Sequence, residues 1–468
     1  MLTNLSWLEP GQTFPPLAEK ERLDAYKQNE KLFLTKHSEV WKSSFDKLAS
    51  LYRKRGLDVE TVLNYHQLLS KKTADFVCSE PPVIEFDGEV GDELETLLNS
   101  QTFFSLLYEA IIDVSRFGNG VLKVVDKRVT IIFAGHWFPV VAPNDLKYIT
   151  HHVVAYPINP NNSGRFTQLY VEIHTPGAIE TRIYGFDSRN GIAGVIMEPV
   201  ESETTVLTAL TDFAVFPLSN VTHSGSIFGL DDYAIINSII AKIMWRLHCA
   251  DSIMDKHSEP SVTGPSSALE KDERTGLWLF KAGNYFARDT NESPDVDYVT
   301  WDGNLDANFR EIELLLNQLY ILSEMGAAFT EGSSDGAASS GTALKLRLVS
   351  PRIKAQRIAG INDAMVRAVI VALAGVNGLH IDDSRLTLSW QDGLPDDPVE
   401  DANRRAVETG GKPTKSQYSA IKERGLSDAE TEAELEQIRL EDAAAAPNLL
   451  GVVDRFEDDE GLDDGGTA

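Results

Sequence analysis

Cysteine is what this 468-residue chain has least of: Cys78 and Cys249 are the two it carries, far apart. Such a pair makes neither a disulfide framework nor a cysteine zinc site, which points to a reducing compartment. Cations are also scarce, with 43 Lys and Arg against 71 Asp and Glu and a net charge of −28. A surface that negative does not wrap nucleic acid nonspecifically, although it would let DNA slide past without sticking. Long apolar runs are missing too, since none approaches the roughly 20 residues of a membrane span. The start, MLTNLSWLEP, lacks the basic region and apolar core of a secretory signal. The expectation is a protein neither exported by that route nor embedded in a bilayer.

Signatures of chemistry are equally thin. No Gly-x-Ser-x-Gly elbow opens a helix after a strand, and Gly118-Asn-Gly120 leads from helix into strand, the reverse of a dinucleotide fingerprint, so it reads as a turn. His151 and His152 lie on a strand-like run and point to opposite faces, and no histidine pair has helical metal-ligand spacing with a carboxylate. The acids Asp392, Asp396, Asp397, Glu400 and Asp401 stand beside Pro395 and Pro398 without apolar framing, which favours a solvated loop over a cation site. We therefore expect no catalytic residues, no cofactor and no metal.

What the chain does have is a globular share of apolar residues, 42%, and enough length for two or more lobes. Its centre is 305–373, two apolar-striped segments around a Gly/Ser loop. Leu305, Phe309, Ile312, Leu316 and Leu319 fall on one helical face, and Ile358, Ile361, Met365, Ala368 and Ala372 repeat the pattern. Between them run Glu331, Gly332, Ser333, Ser334, Asp335, Gly336, Ser339, Ser340 and Gly341, too polar to offset the entropy of their own ordering. Gly336 and Gly341 have the spacing of phosphate-loop glycines, but Thr342 stands where the lysine belongs and the nearest cation is Lys345. A flexible linker between helices and a loop projecting into a channel both remain open.

In chain order, 19–55 predicts two helices, 64–78 a third ended by Pro81-Pro82, 83–86 a strand, and 92–117 one further helix. From Gly118 the period changes: 121–125, 128–133, 148–156, 167–174 and 180–184 read as strands of an antiparallel lobe. Residues 230–257 predict a long helix with Asp231 and Asp232 at its positive end and Ile236, Ile240, Ile243 and Leu247 in its stripe. A small β excursion follows over 261–301. Pro351 either kinks the next helix or opens it behind Ser350 as cap. Thr414 opens one short helix, Ser427 and Glu430 form a capping box for another, and the acidic tail from 454 reads as disordered.

Five short stretches in this order resemble the portal proteins of tailed bacteriophages: ADFVCSEPP at 74–82, SRFGNGV at 115–121, GLDD at 229–232, SSGTAL at 339–344 and LPDD at 394–397. The resemblance implies an α+β portal fold with a wing at 1–228, stem helices at 229–257 and 304–326, and a small β clip at 258–303. It also implies a tunnel loop at 327–341, a long helix at 342–376 joining wing to crown, a helical crown at 377–446, and a disordered tail at 447–468. Ile236, Ile240, Ile243, Leu247, Phe309, Ile312, Leu316 and Leu319 would pack the stem. The Gly/Ser residues from Glu331 to Gly341 would face DNA, and Asp289, Asn291, Glu292 and Asp295 of the clip would dock partners. The implied role is a ring of identical copies, twelve in the usual case, at one capsid vertex. Double-stranded DNA would pass through it, terminase and then a head-tail adaptor would bind it, and major capsid and scaffolding proteins would surround it. The implied location is the virion, with assembly in the host cytoplasm. Another capsid or head-assembly component, or an enzyme with a mobile lid, are the alternatives.

Overall fold

The computed structural model describes residues 1–42, 62–86, 91–160, 164–201, 203–258, 262–265, 270–271, 274, 278–279, 285–287, 296–298, 305–326, 348–391, 406–409, 415–422 and 427–445. The chain divides into two compact units, Met1–Leu394 and Pro395–Ala468. It is mixed α+β, and its larger sheets are antiparallel.

Strand β1 (Thr13–Phe14) precedes helix α1 (Lys20–Phe33), which a single turn at His37–Val40 follows. Helix α2 (Tyr65–Cys78) is capped by Asn64, whose side chain accepts from the Gln67 amide, and strand β2 (Val83–Phe86) leaves it after the two prolines. The single helix expected over 92–117 is two, α3 (Gly91–Ser100) and α4 (Phe103–Phe117). Thr102 between them adopts a left-handed conformation, which turns the chain so that Leu94 and Leu98 meet the same core as Leu107 and Ile111.

The β lobe holds two sheets. In one, β3 (Asn119–Val125) lies between β4 (Arg128–Ile132) and β11 (Val215–Ser219). The other has seven strands: β5 (Trp137–Ala142), β6 (Asp145–Ile158), β7 (Gln168–Thr175) and β8 (Ala178–Asn190) run side by side. Strands β9 (Ala193–Pro199) and β10 (Thr204–Leu207) then share one edge of β8, and β1 pairs with β9. One face of this sheet, with Phe138, Val153 and Val171, packs under Leu2, Trp7, Leu8 and Phe14 of the N-terminal segment. From its other face Trp137 and Val154 meet Val121 and Val215 of the smaller sheet. His151 is half-buried and His152 buried, as alternation requires.

Two long helices follow, α5 (Asn237–Ser258) and α6 (Leu305–Leu322), antiparallel to each other. Their register is set by Asn308, which donates to the Arg246 carbonyl, and by Glu311, which pairs with Lys242 at 3.0 Å and Arg246 at 2.8 Å. Described strands between them are β12 (Val262–Gly264), β13 (Glu270–Lys271), β14 (Trp278–Leu279), β15 (Tyr285–Ala287) and β16 (Asp297–Tyr298). Helix α7 (Val349–Val376) is long and apolar enough to cross a bilayer, but half of it is buried in the main core against α2, β3 and β11. Pro351 sits in its first turn, so it opens the helix and does not kink it. Ser350 is not the cap: its hydroxyl donates to the Glu324 carbonyl. Strand β17 (Leu386–Ser389) then pairs with β2.

The second unit contains α8 (Gln417–Lys422) and α9 (Asp428–Ala445). Ser427 and Glu430 make the expected capping box, with Ser427 N donating to Glu430 Oε2 at 2.9 Å and Glu430 N to Ser427 Oγ at 3.4 Å.

Candidate functional site: the root of the helix pair

The helix pair is rooted in the α/β body through a buried polar network, and glycine makes its first contact possible. Gly118 ends α4 with φ +80°, and its carbonyl accepts from the Asn220 amide. Gly229 crosses the same point so closely that a Cβ on either glycine would fall 2.1 Å from the other's carbonyl oxygen. Around this crossing the Asn119 side chain accepts from the Gly229 amide, and the Ser115 carbonyl accepts from Asp232 N. Residues 115–121 and 229–232, separate in sequence, are thus one knot.

Asp231 and Asp232 do not sit at the positive end of a helix starting at 230. Asp231 accepts from the Tyr233 and Ala234 amides and holds a turn, so the helix proper begins at Asn237. Burial raises the Asp231 pKa above its ordinary value. Asp232 turns inward, accepting from Ser115 Oγ at 2.7 Å and Asn220 Nδ2 at 3.0 Å, and pairing with Lys354 Nζ at 2.9 Å. Lys354, 2% exposed, gives a second hydrogen bond to the Ser323 carbonyl, 3.2 Å away, just past α6. One lysine therefore joins α7 to both ends of the helix pair. Burying a charge is tolerable because its partner and the remaining acceptors are buried with it.

Ser70 and Ser115 continue the network. Ser70 Oγ donates to Ser115 Oγ, which donates to Asp232, so the Tyr233 hydroxyl must donate to Ser70. Burial raises the Tyr233 pKa and keeps it a donor. His66 packs edge-on to Tyr233, and its Nε2 donates to Asn237 Oδ1 at the start of α5. Its Nδ1 is then an acceptor for His37 Nε2 at 3.2 Å. Burial drives His66 down to about 3, so it is neutral at physiological pH. No nucleophile paired with a base appears here, and among the described residues no group of His, Cys, Asp and Glu could hold a metal. The arrangement fixes geometry: it sets where two helices leave the body and where they return.

The apolar stripes meet at this root. Ile236, Ile240, Ile243 and Leu319 are buried in the core shared with α2 and α7, Leu247 and Leu316 pack half-buried against it, and Ile312 is buried as well. Phe309 stands out of the stripe at 41% exposed. On α6, Leu314 (60% exposed) and Ile321 (66%) lie one heptad apart on the side opposite Ile312 and Leu319. The loop residues Glu331 to Gly341 and the clip residues Asp289, Asn291, Glu292 and Asp295 lie outside the described residues. Sequence reasoning did not single out Lys354, Asn362 or His66. A signal existed for the first two, since Lys354 and Asn362 flank Ile358 at four-residue steps on the buried stripe of α7.

No family model matches this chain, and no curated protein matches it. Solved structures similar to it include the virion of a native gene transfer agent (GTA) particle, at 12% identity over 77% of this chain and 89% of that one, TM-score 0.42. The neck of a native GTA particle computed with C12 symmetry is similar at 12% identity over the same shares, TM-score 0.37. The neck of an empty GTA particle computed with C6 symmetry is similar at 11% identity over 77% and 90%, TM-score 0.39.

Proposed function

We propose that this chain is a portal subunit, a structural protein without catalytic activity. Copies of it form a ring, of twelve in the expected case, at one vertex of a phage capsid. Double-stranded DNA is packaged and ejected through the ring, and terminase and later a head-tail adaptor dock on it. The observation that carries this reading is the helix pair. It is an antiparallel hairpin of two long helices, clamped at its root to an α/β body and leading out to small β strands. One of its helices shows aliphatic side chains on the face its own core does not use. Two or more turns of helix with apolar residues on both sides need a second partner, and in a cyclic ring the neighbouring copy supplies it. The five resembling stretches support the same reading, two of them meeting at the knot. A net charge of −28 suits a channel that repels the phosphate backbone.

Negative-stain images and the solution mass of the purified protein test this. A ring with a central hole, at a mass of many subunits, is expected. A monomer or dimer, or a shell or filament, would overturn it.

A further inference from the structure

The end of α6 is held in an unusual conformation. Glu324 has φ +60°, in the left-handed region that a glutamate seldom occupies. Three donors from the first turns of α7 hold it there. Arg357 offers its fork, Nη1 to Oε1 at 3.2 Å and Nη2 to Oε2, while Ser350 Oγ donates to the Glu324 carbonyl at 3.2 Å. Hydrogen bonds from Arg357 also hold the Glu324 carboxyl below its ordinary pKa. One residue earlier, the Ser323 carbonyl accepts from Lys354, which is itself fixed by Asp232.

The two ties therefore join the same two elements, α6 and α7, in different surroundings. The side chains of Lys354 and Asp232 are 2% and 13% exposed, and those of Arg357 and Glu324 are 35% and 43% exposed. Mobile ions screen an exposed pair strongly and a buried pair little. Each residue in a sparsely populated backbone region also stores free energy that its surroundings must hold in place. Losing the Arg357 fork removes the main restraint on Glu324, while Lys354 keeps the helix pair docked.

We propose that Lys354 and Arg357 are positioning residues for the end of α6, at Ser323 and Glu324. Lys354 is the permanent anchor of the α6–α7 junction, and the Arg357–Glu324 pair is an ion-sensitive catch that holds Glu324 in its left-handed conformation. Opening the catch releases Glu324 from that conformation without loosening the helix pair. The local ionic atmosphere thereby sets how firmly residues 324–326 are held.

Hydrogen exchange by mass spectrometry on the assembled full-length protein, at about 50 mM and about 1 M NaCl, tests the catch. In wild type, high salt should speed exchange at 319–326 by about three- to fivefold, the range of a partly exposed bidentate pair. Arg357→Gln should show that faster exchange already at low salt, with no further response to salt and with the β lobe unchanged. Arg357→Lys, which keeps the charge and loses the fork, should fall between. Lys354→Met should loosen 229–237 as well, in a salt-independent way. Equal exchange in wild type and Arg357→Gln at low salt would overturn the proposal, and so would a salt response that persists in Arg357→Gln. If wild type forms no ring, the portal reading fails, but the same exchange comparison still decides the catch on the isolated subunit.

Discussion

The seven-stranded sheet and the helix pair solve the same burial problem to different degrees. The sheet is covered on one face by the chain's own N-terminal segment and on the other by the three-stranded sheet. The helix pair is covered along one face by α2 and α7, while Leu314 and Ile321 on α6 face outward. The β lobe therefore buries both faces of its sheet within one chain, leaving apolar residues such as Met197 and Leu207 exposed on strands β9 and β10, whereas the helix pair buries one face only. A single subunit holds the pair's direction, and on the portal reading a neighbouring copy covers this flank.

This contrast breaks most severely at Ile240, which is fully buried at the root. Ile240→Asp places a carboxylate in the shared core and should destabilise the subunit by about 4 kcal/mol or more. Thermal unfolding should then drop in the isolated subunit, and rings should vanish as a consequence. A stable subunit that merely fails to assemble would mean that Ile240 serves an interface between copies.

Gly229→Ala should come next, at about 3 kcal/mol, because its Cβ would overlap the Gly118 carbonyl and backbone atoms yield little. Gly360→Ala is the matched control in α7. A Cβ there meets nothing within 4 Å, and the substitution should stabilise by about 0.5 to 1 kcal/mol through helix propensity. Denaturant midpoints moving the same way for both would refute the close crossing.

Acid should sharpen the comparison further. Burial lowers His66 and His152 to about 3 and His136 to about 4. A histidine held neutral in the fold contributes stability that is present above its unfolded value near 6.5. That stability is lost as pH falls through the window toward 3, because the unfolded chain takes up protons the fold refuses. Burial raises Asp113 to about 6, which works in the opposite sense between about 4 and 6. Burial also lowers His37 and His151 and raises Asp231. Five histidines against two aspartates leave a net loss, so unfolding midpoints should fall between pH 6.5 and 4. His66→Gln should flatten that fall, and an unchanged slope would remove His66 from the account.

The smallest effect on the subunit is expected at the flank. Leu314→Ser with Ile321→Ser should change subunit stability by no more than about 0.5 kcal/mol, yet reduce rings to smaller species by sedimentation. Intact rings would show that this face is not an interface.

How much of this could be read in advance depended on how local the cause was. The stripe of α5, most of that of α6, the Ser427 capping box and the runs that became β3, β4, β6, β7 and β8 follow from spacing within a few residues. On α7 the expected stripe is displaced: Ile361 is 44% exposed and Met365 and Ala368 are half-buried, while Ile358, Val366 and Val369 are buried. The break at Thr102 was hidden because no glycine or proline marks it, and only the shared core requires the turn. Strands β5 and β11 each contain a proline, which masks a strand pattern, although Pro139 and Pro217 both occupy ladder positions. The root was illegible for a different reason. Ser115, Asp232 and Lys354 are more than a hundred residues apart in turn, and no period links them. Within each segment, an acid or a lysine looks like any solvated charge.

Asn362 gives the long helix a property that neither its length nor its apolarity conveys. Its side-chain amide accepts from Ser219 N at 2.7 Å and donates to Ser219 O at 2.9 Å, the pair of bonds a neighbouring strand would make with the edge of β11. Its other amide hydrogen goes to the Ile358 carbonyl in the same helix. The residues one turn away, Ile358 and Val366, have no amide to offer, so α7 cannot slip along the sheet by a turn and find the same bonds. Motion that keeps this contact must swing α7 about Ser219 like a lever on a pin, carrying Lys354 and Arg357 on one arm and the start of β17 beyond the other.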